Sequence, residues 1–194
     1  EIFIIMRKLI ASLLLLASLP MVAQEIVIDD VQDGVRSTAT DFTVCRSVTD
    51  KMVLSVGINS IISEEKKDTT LYLSTKITFT KPLEINKGGT ILLKLSDDSV
   101  MELHAATASS GTVRDIHSVN GFTYSDYSIT PSFKILPEQL NDIIKKGVKK
   151  IRIEISPSFY DKEFKKDKVG EALSVKRELL MKAIAKPKSM KEGF

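Results

Sequence analysis

The chain has 194 residues, of which 43% are hydrophobic and 27% charged, and its formal net charge is +3. This composition is that of a folded globular protein and argues against an intrinsically disordered chain. The small net charge argues against a nucleic-acid partner, which requires a strong basic excess on one face.

The N-terminal part of the sequence predicts export. The run from Met6 to Gln24, MRKLIASLLLLASLPMVAQ, begins with two basic residues, continues through an apolar core and ends in small residues after a proline. This layout is typical of a secretory signal peptide, and its apolar core is too short for a transmembrane anchor. We expect residues 1–24 to be removed. The first five residues, EIFII, are interpreted as upstream translation or as an error in the assigned gene start. The mature chain then begins near Gln24 or Glu25, is periplasmic or secreted, and has no transmembrane segment.

The remaining sequence is long enough for one domain with a substantial core. We assign residues 25–185 to a single mainly-β domain and residues 186–194 to a flexible basic tail. Cys45 is the only cysteine, which excludes an internal disulfide. It lies in the alternating stretch FTVCRSV, so we predict a buried small side chain rather than a reactive thiol.

Alternation of apolar and polar residues dominates the first half of this domain and predicts β-strands. One strand runs from Lys51 to Ile62, where Gly57 permits a bulge or a close approach of another backbone. A second covers LYLSTKITF (71–79). The segments TILLKL and VMELHA, joined by a Ser/Asp turn at residues 96–99, predict a β-hairpin. Its core face would carry Leu93, Leu95, Met101 and Leu103, and its solvent face Lys94, Glu102 and His104.

The composition changes to Ser, Thr, Gly, Asp and Tyr between Ala105 and Ser132. The first half, ATASSGTVRDIHSVNG, is too polar for a core strand, so we predict a long loop over residues 105–120. A long loop inside a compact domain is typically functional or mobile. Alternation returns in FTYSDYSITPSFKI.

Two helices are predicted in the last third of the chain. Pro137 suits a first helical turn and Gly147 a stop, which predicts a short helix over residues 137–146. The alternating strand KKIRIEI follows. The segment EALSVKRELLMKAIAK predicts an amphipathic C-terminal helix that begins between Lys166 and Glu171. Its apolar stripe would contain Leu173, Leu180 and Ile184, while Lys176, Arg177 and Lys182 would lie largely off that stripe.

These elements predict an α+β fold that consists mainly of an antiparallel β-sheet or β-sandwich of seven or eight strands. The short helix near residues 137–146 follows the fifth or sixth strand. The C-terminal helix covers one face or end of the sheet, because a sheet must bury its apolar face.

The same order of elements resembles a family of uncharacterised exported proteins of Bacteroides-type bacteria. The resemblance is carried by INKGGTILLKLSDDSVMEL, YSITPSFKILPEQLNDIIKKGVKKIRIEI and FKKDKVGEAL, and it covers most of the chain from Leu71 to Leu179. It implies an exported envelope or secreted protein. It transfers no catalytic residues.

The sequence assigns no metal-binding, cofactor-binding or catalytic residues. His104 and His117 are the two histidines, and their separation fits no compact ligand spacing, so we predict exposed side chains on a strand and a loop. Asp115, His117 and several serines share the predicted loop, but no G-x-S-x-G elbow accompanies them. A serine hydrolase would require an oriented base and an oxyanion site.

The acidic segment at residues 29–34 superficially resembles a calcium loop. Val31 and Thr40 occupy positions at which an EF-hand requires oxygen ligands, so the match fails. We interpret the segment as an acidic turn.

The leading functional prediction is a non-enzymatic exported protein that binds or supports another macromolecule, either a protein or a glycan. Glycan binding is less favoured, because the chain has no Trp and only 6% aromatic residues. One alternative is a small hydrolase that uses residues of the 105–120 loop. A second is a protein that binds anionic surface polymers through its basic C-terminal region.

Overall fold

Antiparallel β-strands make up most of the structure, a computed structural model that describes residues 25–45, 52–63, 65–66, 68–156 and 158–186. The predicted signal peptide and the part of the basic tail after residue 186 lie outside the described residues. The strands are β1 (Ile26–Gln32), β2 (Val35–Thr40), β3 (Thr43–Val44), β4 (Val53–Ser63), β5 (Asp68–Phe79), β6 (Glu84–Ile85), β7 (Thr90–Leu95), β8 (Val100–His104), β9 (Ser109–Ser110), β10 (Thr112–Val119), β11 (Phe122–Ile129), β12 (Ser132–Ile135), β13 (Val148–Ile155) and β14 (Ser158–Glu163). The helices are α1 (Pro137–Lys146) and α2 (Val169–Ile184).

The strands form one large and two smaller sheets. The large sheet has eight strands in the order β1-β2-β4-β5-β11-β10, with β3 paired to β4 and β12 to β5. A four-stranded sheet has the order β14-β13-β7-β8, and β6 pairs with β9. The predicted α+β class, mainly antiparallel with two helices, is confirmed. The described residues contain more strands than the seven or eight predicted, because β14, β10 and several two-residue strands were not foreseen.

The two larger sheets share one apolar core. Leu54 and Ile77 from the large sheet are buried in the same cluster as Leu93 and Ile153 from the four-stranded sheet. The two strands β4 and β5 pair without a register shift along their full length. On the β5 side Gly57 therefore forms no bulge, whereas on the other side the three residues 40–42 lie opposite Gly57 and Ile58. Its predicted second role is confirmed, because a Cβ atom there would lie 3.1 Å from the backbone oxygen of Asp41.

The hairpin predicted from residues 90–104 is present as β7 and β8. Leu93 lies opposite Met101, and Leu95 and Leu103 are buried on the same face. Glu102 and His104 are exposed on the other face, as predicted.

The prediction of a long loop over residues 105–120 is wrong. Residues 112–119 form β10, which pairs with β11 in a long hairpin. The chain turns at Asn120 and Gly121, whose φ angles of 50° and 79° match the left-handed conformation of a two-residue hairpin turn. The strand escaped recognition because its side chains are mostly exposed, which removes the contrast between an apolar and a polar face.

Both helices lie where the sequence predicted them. The C-terminal helix α2 packs against β4 and β2 and against α1, and Leu173 and Leu180 of its predicted stripe are buried. The prediction for Lys176 is wrong, because this side chain is fully buried. It lies three residues after Leu173 and four before Leu180, on the same helical face, and Asp41 accepts a hydrogen bond from its ammonium group.

Side chains outside the helix hold both ends of α2. Asp167 Oδ1 accepts hydrogen bonds from the N–H groups of Val169 and Gly170, at 3.1 and 2.9 Å, and so caps the first turn. The half-turn after the helix is held by Arg36, which is 8% exposed. Its guanidinium donates to the backbone oxygens of Ala183, Ile184 and Lys186 and also to the Asp29 carboxylate.

Candidate functional site

The hairpin of β10 and β11 extends beyond the strand that supports it. Residues 127–129 of β11 pair with β5, whereas residues 122–126 pair only with β10. Among the described strands, β10 pairs only with β11 and is the edge of the eight-stranded sheet. We call residues 112–126 the arm.

Apolar side chains are exposed along the arm. The exposed fractions are 54% for Val113, 69% for Ile116, 78% for Phe122 and 46% for Tyr124. Scattered exposed apolar residues are ordinary, whereas these four lie on one projecting hairpin whose outer strand is an edge of the described sheet. The arm is therefore a candidate binding element.

A β-bulge distributes these side chains between the two faces of the arm. Val113 pairs with Tyr127, and Asp115 pairs with the adjacent residue, Asp126. Because neighbouring residues on β11 point to opposite faces, Val113 and Asp115 also point to opposite faces. Bulges of this kind commonly lie next to functional sites and re-aim a side chain.

One face of the arm carries a cluster of three titratable side chains. His117 Nε2 lies 3.1 Å from Asp126 Oδ2, and Asp115 lies directly opposite Asp126 in the register. One possible ligand atom from each of the three residues lies within 4.8 Å of the others. An imidazole and two carboxylates at this spacing can bind a metal ion or share a proton.

Two neighbours orient the cluster. The ring of His117 stacks on that of Tyr124, with centroids 4.9 Å apart and an interplanar angle of 23°. Arg114 Nε lies 3.1 Å from Asp115 Oδ2. The imidazole thus has an aromatic face beside it and one carboxylate of the pair has a cationic neighbour.

The serines nearest to His117 along the arm do not join the cluster. Ser118 and Ser125 are each one residue removed from a cluster member, so strand alternation places them on the opposite face. Within the described part of the arm, the predicted grouping of Asp115 and His117 is therefore completed by Asp126 and not by a serine hydroxyl. This arrangement suits binding better than nucleophilic catalysis.

The other residues considered from the sequence lie away from the arm cluster. His104 is exposed on β8, with Nε2 3.7 Å from Glu102 Oε1. Cys45 is buried as predicted, and burial, followed by the nearby Asp167 carboxylate, raises the pKa of its thiol to about 12. The acidic segment is a turn only in part: residues 29–32 belong to β1, and Asp33 and Gly34, both at positive φ, form the turn to β2.

Cations on the outer face of the four-stranded sheet are matched by carboxylates. Arg152 donates two hydrogen bonds of 2.7 Å to Asp161, which lowers the pKa of that carboxyl to about 2. Lys150 Nζ also lies 3.2 Å from Asp161 Oδ2. On the predicted basic C-terminal region, Lys182 donates to Glu178 at 2.6 Å. These pairings reduce the positive potential of the described residues, while Lys188 and Lys191 of the predicted basic tail lie outside them.

Sequence reasoning missed Asp126 and Tyr124 as members of the site. Both lie on the strand opposite His117, and only the hairpin register brings them together. The signal that could have found them is the Asn120-Gly121 pair, the strongest local indication of a two-residue hairpin turn.

Comparison of the chain with family models, with curated proteins and with solved structures found no match. Within the described residues, neither helix combines the length and the apolar character needed to cross a lipid bilayer.

Proposed function

We propose that this protein is an exported, non-enzymatic binding protein that captures an extended segment of a partner protein along the open edge of the arm. The observation that carries the proposal is the projection of β10 beyond its supporting sheet with Ile116 69% exposed. An extended peptide that adds a strand to such an edge gains backbone hydrogen bonds, and side-chain contacts give it specificity.

The geometry of the turn indicates which backbone groups are available. The residues that flank a two-residue turn bond to each other, and bonded pairs alternate with non-bonded pairs along an antiparallel ladder. Val119 and Phe122 flank the turn. The backbone groups of Ser118 and Ile116 therefore point away from β11, toward the open edge.

The composition of β10 also favours strand addition. Edge strands are commonly protected by charged side chains, especially lysine, by proline or by bulges. β10, TVRDIHSV, has neither lysine nor proline, and its bulge and its Arg-Asp pair at residues 113–115 precede the edge positions Ile116 and Ser118. A protein partner also suits this surface better than a glycan, because the chain has no Trp.

Site-specific photo-crosslinking in the exported protein tests this proposal. A benzophenone side chain in place of Phe122 should give a discrete protein adduct. The matched control is the same probe in place of Phe159, which is 54% exposed on β14. Ser118→Pro should abolish the adduct by removing the outward N–H, whereas Ser118→Ala should retain it.

Three results would contradict the proposal: absence of an adduct, equal adducts at Phe159, and adducts that persist in Ser118→Pro. An adduct of twice the chain's mass would instead identify a second copy as the occupant. If Ser118→Pro does not fold by circular dichroism, Ile116→Lys supplies the test, because an edge lysine opposes strand addition.

Export is part of this proposal and is supported by the N-terminal sequence pattern. N-terminal sequencing of the mature protein should give a start near Gln24 or Glu25. A mature protein that begins at Met6 would overturn it.

A further inference from the structure

We propose that Asp115, His117 and Asp126 bind a divalent transition-metal ion, with Zn²⁺ as the best fit, on one face of the arm. This metal site is separate from the proposed partner binding, because all of its protein ligands come from this chain. Its ligands would be one imidazole nitrogen and one oxygen from each carboxylate.

The distances are close to those of a metal site. Zn–N and Zn–O bonds of about 2.0–2.2 Å place neighbouring ligand atoms of a tetrahedral site roughly 3.4 Å apart. His117 Nε2 and Asp126 Oδ2 already lie 3.1 Å apart, and all three ligand atoms lie within 4.8 Å. Metal binding would require a rotation of the half-exposed Asp115 side chain to close the remaining gap.

The electrostatics of the arm also favour a cation. Asp115 and Asp126 are directly opposite each other in the ladder, and like charges in this position destabilise a strand pair. Arg114 contacts Asp115 from one side, but the pair is half exposed and so offsets only part of this repulsion. A divalent cation between the carboxylates would remove the repulsion and link the two strands.

The ligand set indicates the type of metal. Calcium and magnesium prefer oxygen ligands alone, whereas an imidazole with carboxylates suits Zn²⁺ and other first-row ions. Tyr124 stacks on the His117 ring and limits its rotation. Three protein ligands leave a fourth position for water or for a donor atom of another molecule.

Calorimetric titration of the purified chain with zinc chloride tests this site. One ion should bind per chain, and His117→Ala and Asp126→Asn should each weaken binding by at least about tenfold. The matched control is His104→Ala, which removes an exposed histidine beside Glu102, outside the cluster. That variant should bind like the unmodified chain.

Amide hydrogen exchange gives a second readout. Zinc should slow exchange along β10 and β11 in the unmodified chain but not in His117→Ala, because the ion clamps the two strands. Absence of zinc binding, unchanged binding in His117→Ala, or an equal loss in His104→Ala would each overturn the proposal. None of these results depends on whether a partner protein binds the arm.

Discussion

Lys176 of α2 and Asp41, which follows β2, form an ion pair in which the lysine side chain is fully buried. The two residues are 135 positions apart in the sequence. Asp41 Oδ1 also accepts a hydrogen bond of 3.0 Å from the backbone N–H of Glu25. One carboxylate therefore joins the C-terminal helix to the start of the first hairpin.

The two halves of this pair should respond differently to substitution. Asp41→Ala leaves a buried ammonium without its partner, and we expect a loss of about 3 kcal/mol in the free energy of unfolding. Lys176→Met keeps most of the volume and removes the charge, so it should be close to neutral. Denaturant unfolding measures both, and equal losses would contradict the asymmetry.

Leu180 tests whether α2 belongs to the core. The side chain is 1% exposed, so Leu180→Ala should lower the free energy of unfolding by about 2–5 kcal/mol. The matched control is Met181→Ala on the same helix, where the side chain is 50% exposed and the change should stay within about 0.5 kcal/mol. An unchanged denaturation midpoint in Leu180→Ala would show that the helix does not pack on its own sheet in solution.

Gly170 is a position where steric contact opposes helix propensity. Propensity alone predicts a gain of up to about 1 kcal/mol for Gly170→Ala. However, a Cβ atom would clash with Asp167 Oδ2 and lie 2.9 Å from the Ile143 backbone oxygen. We expect a net loss of about 1–3 kcal/mol in the free energy of unfolding, as for other overpacked sites. Ser174→Ala, exposed on the same helix, should instead be neutral or slightly stabilising, and a gain in Gly170→Ala would contradict the contact.

The buried thiol should make stability depend on alkaline pH. The pKa of Cys45 is about 12 in the folded protein, against about 8.5 for an exposed thiol. The folded state therefore holds this proton more tightly. Its stabilising contribution is fully present below about pH 8.5 and is lost as the pH rises toward 12.

Comparison with Cys45→Ala isolates that contribution, because the variant lacks the titrating thiol but keeps the other alkaline groups. The stability difference between the two proteins should shrink or reverse as the pH rises. Maleimide labelling should also be slow in the folded protein at about pH 8 and fast in denaturant. Rapid labelling of the folded chain would contradict the buried position.

The elements that could be predicted from the sequence have strong local signals. The helix at residues 137–146 has proline at its start and glycine after its end, and the β7–β8 hairpin has alternation on both sides of a polar turn. The helix and the hairpin were both confirmed, because neither prediction required knowledge of distant contacts.

The missed features depend on register or on distant partners. The arm is exposed on both faces, so the composition of its sequence resembles that of a loop. Asp126 lies beside His117 only because of the strand pairing between β10 and β11. Lys176 looked like a surface charge because its partner, Asp41, is remote in the sequence. Its helical spacing places it on the same face as Leu173 and Leu180. That spacing could not identify Asp41, whose carboxylate pairs with the buried ammonium group.

The contacts of Arg36 have a consequence for the order in which the protein can assemble. A side chain of the second strand completes its hydrogen bonds only with backbone oxygens at residues 183–186, some 150 positions later. A ribosome or a translocation channel releases the first hairpin long before that helix emerges. The surface of β1, β2 and β4 that α2 covers therefore stays exposed until α2 has emerged. Folding of this domain is accordingly expected to be completed only after residues 183–186 have emerged, because Arg36 cannot form these hydrogen bonds earlier.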